Sequence, residues 1–173
     1  EPAWPTPDGG MVVSEHPLAT RAGVDILARG GNAVDAAVAT ALALAVVYPQ
    51  AGNLGGGGFA LVVPHSGEPR FLDFRERAPS TATAEAYLDA EGRFVPERAL
   101  QGALASAVPG SPAGLWRLHQ ELGSGRFTFR QLARAAIQYA QDGFPVDDDL
   151  EGALRAEGIR RRLEASPGSR ALF

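Results

Sequence analysis

Apolar positions in this chain fall into helical and strand-like runs punctuated by glycine and proline. Met11-Val-Val-Ser14 predicts a short strand. Pro17 then opens a helix that runs to about Arg29, where an arginine in the last turn and the Gly30-Gly31 pair beyond it favour termination. A second helix follows at once. Asn32 is its cap, and Asp35 stands at the third helical position, where a carboxylate reaches the free amides and meets the positive end of the helix dipole. From Ala33 to Val47 small apolar residues surround the axis on every face, which predicts a helix enclosed by other elements. Tyr48-Pro49 stops it, because the residue before proline is pushed out of the helical region.

The spacing then changes. Phe59 to Val63 reads as a strand by its length and β-branched content, Pro64 to Pro69 as a turn, and Arg70 to Arg75 as a returning strand. In that second strand Phe71, Asp73 and Arg75 share one face, and Arg70, Leu72 and Phe74 the other. A hairpin is the expected arrangement. Further on, Ala84 to Leu88 predicts a short helix and Asp89 to Pro109 a set of connecting segments. Leu115, Leu118 and Leu122 give helical spacing between Gly114 and Leu122. Thr128-Phe-Arg-Gln131 is a capping box, leading into a helix with Leu132, Ala135, Ala136 and Tyr139 on one face and Asp142-Gly143 at its end. A last helix is expected from Asp147 to Leu163, its terminal Arg160-Arg161-Arg162 forming a solvated final turn.

Composition narrows the chemistry. At 173 residues the chain amounts to about one domain, with residues 1–10 read as an extended arm and 11–173 as the domain proper. There is no cysteine, which excludes a disulfide framework and a thiol nucleophile. All sixteen cations are arginines, so Schiff-base chemistry and a phosphate-binding P-loop lysine are excluded as well. A net charge of -4 with scattered arginines offers no stripe for a nucleic acid backbone. No apolar run approaches the ~20 residues of a membrane span, and the opening residues read as an arm, not a signal peptide.

The most unusual feature is the loop Gly52-Asn-Leu-Gly-Gly-Gly-Gly58. Gly55, Gly57 and Ala60 match a dinucleotide-binding spacing, but in reversed context: the loop follows a helix and opens a strand, leaving no helix N-terminus for a pyrophosphate. Bare backbone is needed there either for tight packing or for close approach by a ligand, and the residue types leave both open. His16, His65 and His119 lack metal-ligand spacing and read as isolated histidines. No G-x-S-x-G elbow occurs. Asp73-Phe-Arg-Glu-Arg-Ala-Pro79 admits two readings, a solvated strand end or an arginine projecting beside the glycine loop as a fork for a carboxylate.

Gly31-Asn-Ala-Val-Asp-Ala-Ala37, Pro49-Gln-Ala-Gly-Asn-Leu-Gly-Gly-Gly-Gly-Phe59, Asp73-Phe-Arg-Glu-Arg-Ala-Pro79, Pro109-Gly110 and Gln141-Asp-Gly-Phe-Pro-Val-Asp147 together resemble, in order and spacing, the N-terminal half of the large subunit of γ-glutamyltransferases. The resemblance runs from about Gly10 to Phe173. It implies an α/β (α+β) chain: a helix-rich part, with a β-hairpin, of the αββα sandwich of N-terminal-nucleophile hydrolases. Members of that family are made as a precursor that cleaves itself, and the new N-terminal Thr of the small subunit attacks the γ-glutamyl donor with its own amine as base.

By the same resemblance, Arg75 grips the α-carboxylate of the γ-glutamyl group, Glu76 stands behind it as a supporting partner, and Asn53, Gly55, Gly56, Gly57 and Gly58 line the site. The implied partners are a glutathione-like substrate, the remainder of the large subunit and the small subunit; no metal or organic cofactor is implied, and a periplasmic or secreted location is favoured. All six threonines are internal and outside any self-cleavage motif of the family's kind, so the nucleophile is expected outside this chain and the 173 residues alone are expected to be inactive. The alternatives are a non-catalytic carboxylate-binding homologue, and a sibling acylase on the same scaffold acting on cephalosporins or poly-γ-glutamate.

Overall fold

The computed structural model describes residues 10–172; the proposed arm falls almost wholly outside them. Helices α1 (Pro17–Ala28) and α2 (Ala33–Val47) are joined by a turn in which Gly30 takes a φ of 84°. Asn32 caps α2 as its sequence predicts: Asp35 N donates to Asn32 Oδ1 at 2.9 Å, and Asn32 N donates back to Asp35 Oδ2 at 3.1 Å. The small side chains of α2 let its neighbours approach. At Gly23 of α1 there is no room for a side chain, because a Cβ would overlap Thr40 Oγ1. Thr40 turns its hydroxyl back to the Ala36 carbonyl at 2.8 Å, so this buried polar group is satisfied within the helix.

Around α2 lie α4 (Ser111–Leu122), α5 (Phe129–Leu132) and α6 (Arg134–Asp142). Val38, Ala39, Ala43 and Val47 are sealed from solvent, as a helix apolar on all faces requires. Strands β1 (Phe59–Val62) and β2 (Arg70–Asp73) pair antiparallel, with Phe59 opposite Asp73 and Val62 opposite Arg70. Ala60, Val62, Leu72 and Phe74 pack on the helical core. The other face of the hairpin leaves Phe59, Leu61 and Phe71 exposed, with the two phenyl rings stacked at 5.9 Å. No helix among the described residues is long and apolar enough to cross a membrane.

Four expectations need correction. Residues 11–14 form no strand, since no second strand lies alongside them among the described residues; they run as coil, with Val12 on the core. The connecting stretch 89–109 contains the short helix α3 (Pro96–Leu100), started by a proline in its first turn. The capping-box helix breaks at Ala133, whose amide is shared between Gln131 and Phe129 carbonyls, so α5 and α6 are separate. The last helix is also divided, into α7 (Asp148–Arg155) and α8 (Glu157–Ala165), by an extended Ala156, and α9 (Pro167–Leu172) follows. In α7 only Leu150 is buried and in α8 no residue is, so no continuous apolar stripe holds a single straight helix on the core.

Candidate functional site

The glycine loop begins where α2 ends. Gly52 N donates to the Tyr48 carbonyl at 2.7 Å, and a Cβ at Gly52 would overlap the Leu44 carbonyl. The loop then crosses the start of α4. Gly56 O accepts from Gly110 N at 2.8 Å and from Ser111 N at 3.0 Å, while Gly56 N donates to Asn53 Oδ1 at 3.1 Å. Ser111 Oγ donates to the same Asn53 oxygen at 2.6 Å.

Beyond Gly56 the loop merges with the hairpin. Phe74 N donates to Gly58 O at 3.0 Å, extending the pairing past the end of β2. At Gly57 a Cβ would come within 2.6 Å of both Glu76 N and Phe74 O, and at Gly58 within 3.0 Å of the Phe74 ring. The same ring fills the space beside Gly114, where a Cβ would overlap it, and Gly110 lies directly on the Phe74 carbonyl. Of the two reasons for bare backbone, packing accounts for Gly56, Gly57 and Gly58. Gly55 differs: it is exposed, and a Cβ there would meet nothing within 4 Å.

This packing places Arg75. Its backbone abuts Gly57 on one side, and two residues on, Arg77 pairs with Val108 through hydrogen bonds of 2.8 and 3.3 Å. Asp73 Oδ1 accepts the Arg75 amide at 2.9 Å and so fixes the turn out of β2. The Arg75 side chain is exposed and has no acidic partner among the described residues, although Asp73 and Glu76 flank it in sequence. Glu76 points its Oε1 toward Gly56, 3.0 Å from where a Cβ would stand, and makes no ion pair with Arg75. Arg75 thus has its backbone packed on the glycine loop at Gly57 and an exposed, unpaired side chain.

Sequence reasoning missed Phe74, Ser111 and Gly114 as parts of this arrangement. The available signal was the glycine inside a helical pattern at 114, which marks close approach of another chain segment. Among the described residues no group of three or more His, Cys, Asp or Glu side chains could hold a metal ion. His16 and His119 have buried side chains at the core edge, and His65 is exposed in the hairpin turn. An apolar groove of about 680 Å³ lies elsewhere, between residues 10–15 and α2, and does not include the glycine loop.

Residues 19–173 match the model of the γ-glutamyltranspeptidase family. The chain belongs to that family. It is 48% identical over 143 residues to a glutathione hydrolase proenzyme of Pseudomonas aeruginosa, covering 83% of this chain and 25% of the relative. To the glutathione hydrolase proenzyme of Escherichia coli it is 44% identical over 164 residues, covering 95% of this chain and 28% of the relative. The crystal structure of Helicobacter pylori γ-glutamyltranspeptidase superposes with a TM-score of 0.89 at 41% identity, over 95% of this chain and 46% of that one. The chain thus spans about a quarter of the length of these curated relatives. This member of the γ-glutamyltranspeptidase family is, in its described residues, a helix-rich α+β unit with an antiparallel hairpin, part of an N-terminal-nucleophile hydrolase fold.

Proposed function

We infer that this segment supplies the carboxylate-anchoring wall of an enzyme that moves a γ-glutamyl group from a glutathione-like donor to water or an amino acid. The observation that carries this reading is the Arg75 backbone packed on the glycine loop at Gly57, with its side chain exposed and unpaired. Two parallel hydrogen bonds from a guanidinium fit an α-carboxylate, and binding at that remote group orients the γ-amide for attack by a nucleophile. The nucleophile lies outside these residues, on a threonine freed when a precursor is cleaved, so the segment by itself has no turnover. Gly55 leaves the loop open at the edge where a small substrate would pass.

The exposed apolar face formed by Phe59, Leu61 and Phe71 supports the same reading, since a stacked phenyl pair facing solvent is the kind of surface another layer of a larger protein covers. In this reading the remainder of the large subunit and the small subunit supply that layer.

The test is a comparison of two donors on the full-length matured protein. Arg75→Ala is expected to raise KM for a γ-glutamyl anilide at least tenfold, the value of one charged bidentate contact, and to leave KM for the analogue lacking the α-carboxylate within twofold. Equal effects on both donors would remove Arg75 from this role.

A further inference from the structure

Ser111 stands at the first position of α4, one residue past the cap position from which a serine would turn its hydroxyl onto the free amides of the helix. The helix has no side-chain cap; Gly110 precedes it as the cap residue, and the amides of Gly110 and Ser111 are both taken by the Gly56 carbonyl. The Ser111 hydroxyl, 4% exposed as a residue, is directed across to Asn53 Oδ1 at 2.6 Å, a contact between positions 58 residues apart.

That contact anchors the Asn53 amide, whose direction is set by the Gly56 N–H. Its Oδ1 receives two donors, the Ser111 hydroxyl and the Gly56 N–H. With the amide reversed, its NH2 would oppose the Gly56 N–H, so that donor sets the carbonyl inward and the Ser111 hydroxyl anchors it there. Gly56 is in turn one residue from Gly57, whose backbone is packed on the Phe74–Glu76 segment so closely that no Cβ fits. A displacement of the Asn53–Gly56 turn is therefore transmitted to Arg75 through backbone in van der Waals contact.

We propose that Ser111 is a positioning residue for the carboxylate anchor: its hydroxyl locks the Asn53 amide, the amide holds the Gly55–Gly56 turn, and the turn sets the place of Arg75. The proposal rests on the reading of Arg75 given above and adds a residue that touches no substrate. Its signature is selective. Loss of the lock weakens binding of donors that carry the α-carboxylate and leaves the chemical step and carboxylate-free donors unaffected, which a general loosening of the protein does not do.

The experiment uses the full-length matured protein with the same pair of donors. Ser111→Ala is expected to raise KM for the γ-glutamyl anilide about fivefold, the size of one neutral hydrogen bond, with kcat and the carboxylate-free donor within twofold. Ser111→Ala combined with Asn53→Ala is expected to be no worse than Asn53→Ala alone, because both act through one bond. Ser111→Thr keeps the hydroxyl and is expected to mature and to hold KM within twofold, which carries the test where Ser111→Ala does not accumulate. An unchanged KM in Ser111→Ala, an equal rise for both donors, independent effects in the double variant, or a Ser111→Thr protein that fails to mature or to hold KM overturns the proposal. Arg75→Ala run alongside separates the failures. A selective loss there with none in Ser111→Ala overturns the positioning role alone, and no selective loss in Arg75→Ala removes the anchor beneath it.

Discussion

Asp35 Oδ2 accepts the amide of Ser124 at 3.2 Å, joining positions 89 residues apart. The carboxylate is fully buried, and the same oxygen takes the Asn32 amide, so one side chain closes the start of α2 and ties down the turn after α4. Its Oδ1 faces the buried His119 Nδ1 at 3.9 Å, too far for a hydrogen bond. Gly123 sits in between, where a Cβ would come within 2.9 Å of that oxygen.

Asp35→Ala removes both accepted bonds at once and leaves the Asn32 and Ser124 amides without that acceptor. The expected loss is about 2–4 kcal/mol, seen as a lowered thermal midpoint of the full-length protein. Asp35→Asn keeps an oxygen that can accept both amides and is expected to lose less than Asp35→Ala. A midpoint unchanged in Asp35→Ala would show that the buried carboxylate contributes no net stability.

The cap itself was legible in the residues: Asn32 followed three positions later by Asp35 is a local pattern, and local hydrogen bonds form wherever the chain turns into a helix. The Ser124 contact was not, because nothing at residues 32–35 specifies which distant amide will be brought to the carboxylate.

Glycines 55 and 57 are expected to behave oppositely on substitution. Gly57→Ala places a methyl against Glu76 N and Phe74 O, and the forced backbone shift is expected to cost about 1–3 kcal/mol. Gly55→Ala meets open space and is expected to change stability by no more than about 0.5 kcal/mol. Thermal unfolding of the two full-length variants side by side checks this, and similar midpoints would contradict the packing assigned to Gly57.

Tyr139 gives an alkaline pH dependence. Burial raises its phenol above the ordinary 10.0, with Arg21 opposing and Asp25 adding to the rise. The folded protein thus favours the neutral phenol, whose hydroxyl donates to the Leu18 carbonyl at 3.3 Å. This contribution is complete below pH 10 and is lost as pH climbs through the folded-state value. Tyr139→Phe is expected to flatten that part of the stability profile above pH 10 and leave its neutral region parallel to the parent. An identical alkaline slope in both proteins would assign the loss to other groups.

Element types were written in the sequence by itself: the all-round apolar α2, the hairpin, the two capping boxes and the glycine-rich bend follow from spacings within about ten residues. The family resemblance was written there too, in motifs whose order survives in one dimension. Tertiary structure alone decided that three of the four consecutive glycines serve packing and one stays open, that Phe74 lies under Gly58 and Gly114, and that Ser111 reaches Asn53. The physical reason is that these relationships are contacts between segments separated by long stretches of chain. Their partners are set by how α4, the hairpin and α2 share one core, and no single segment encodes that sum.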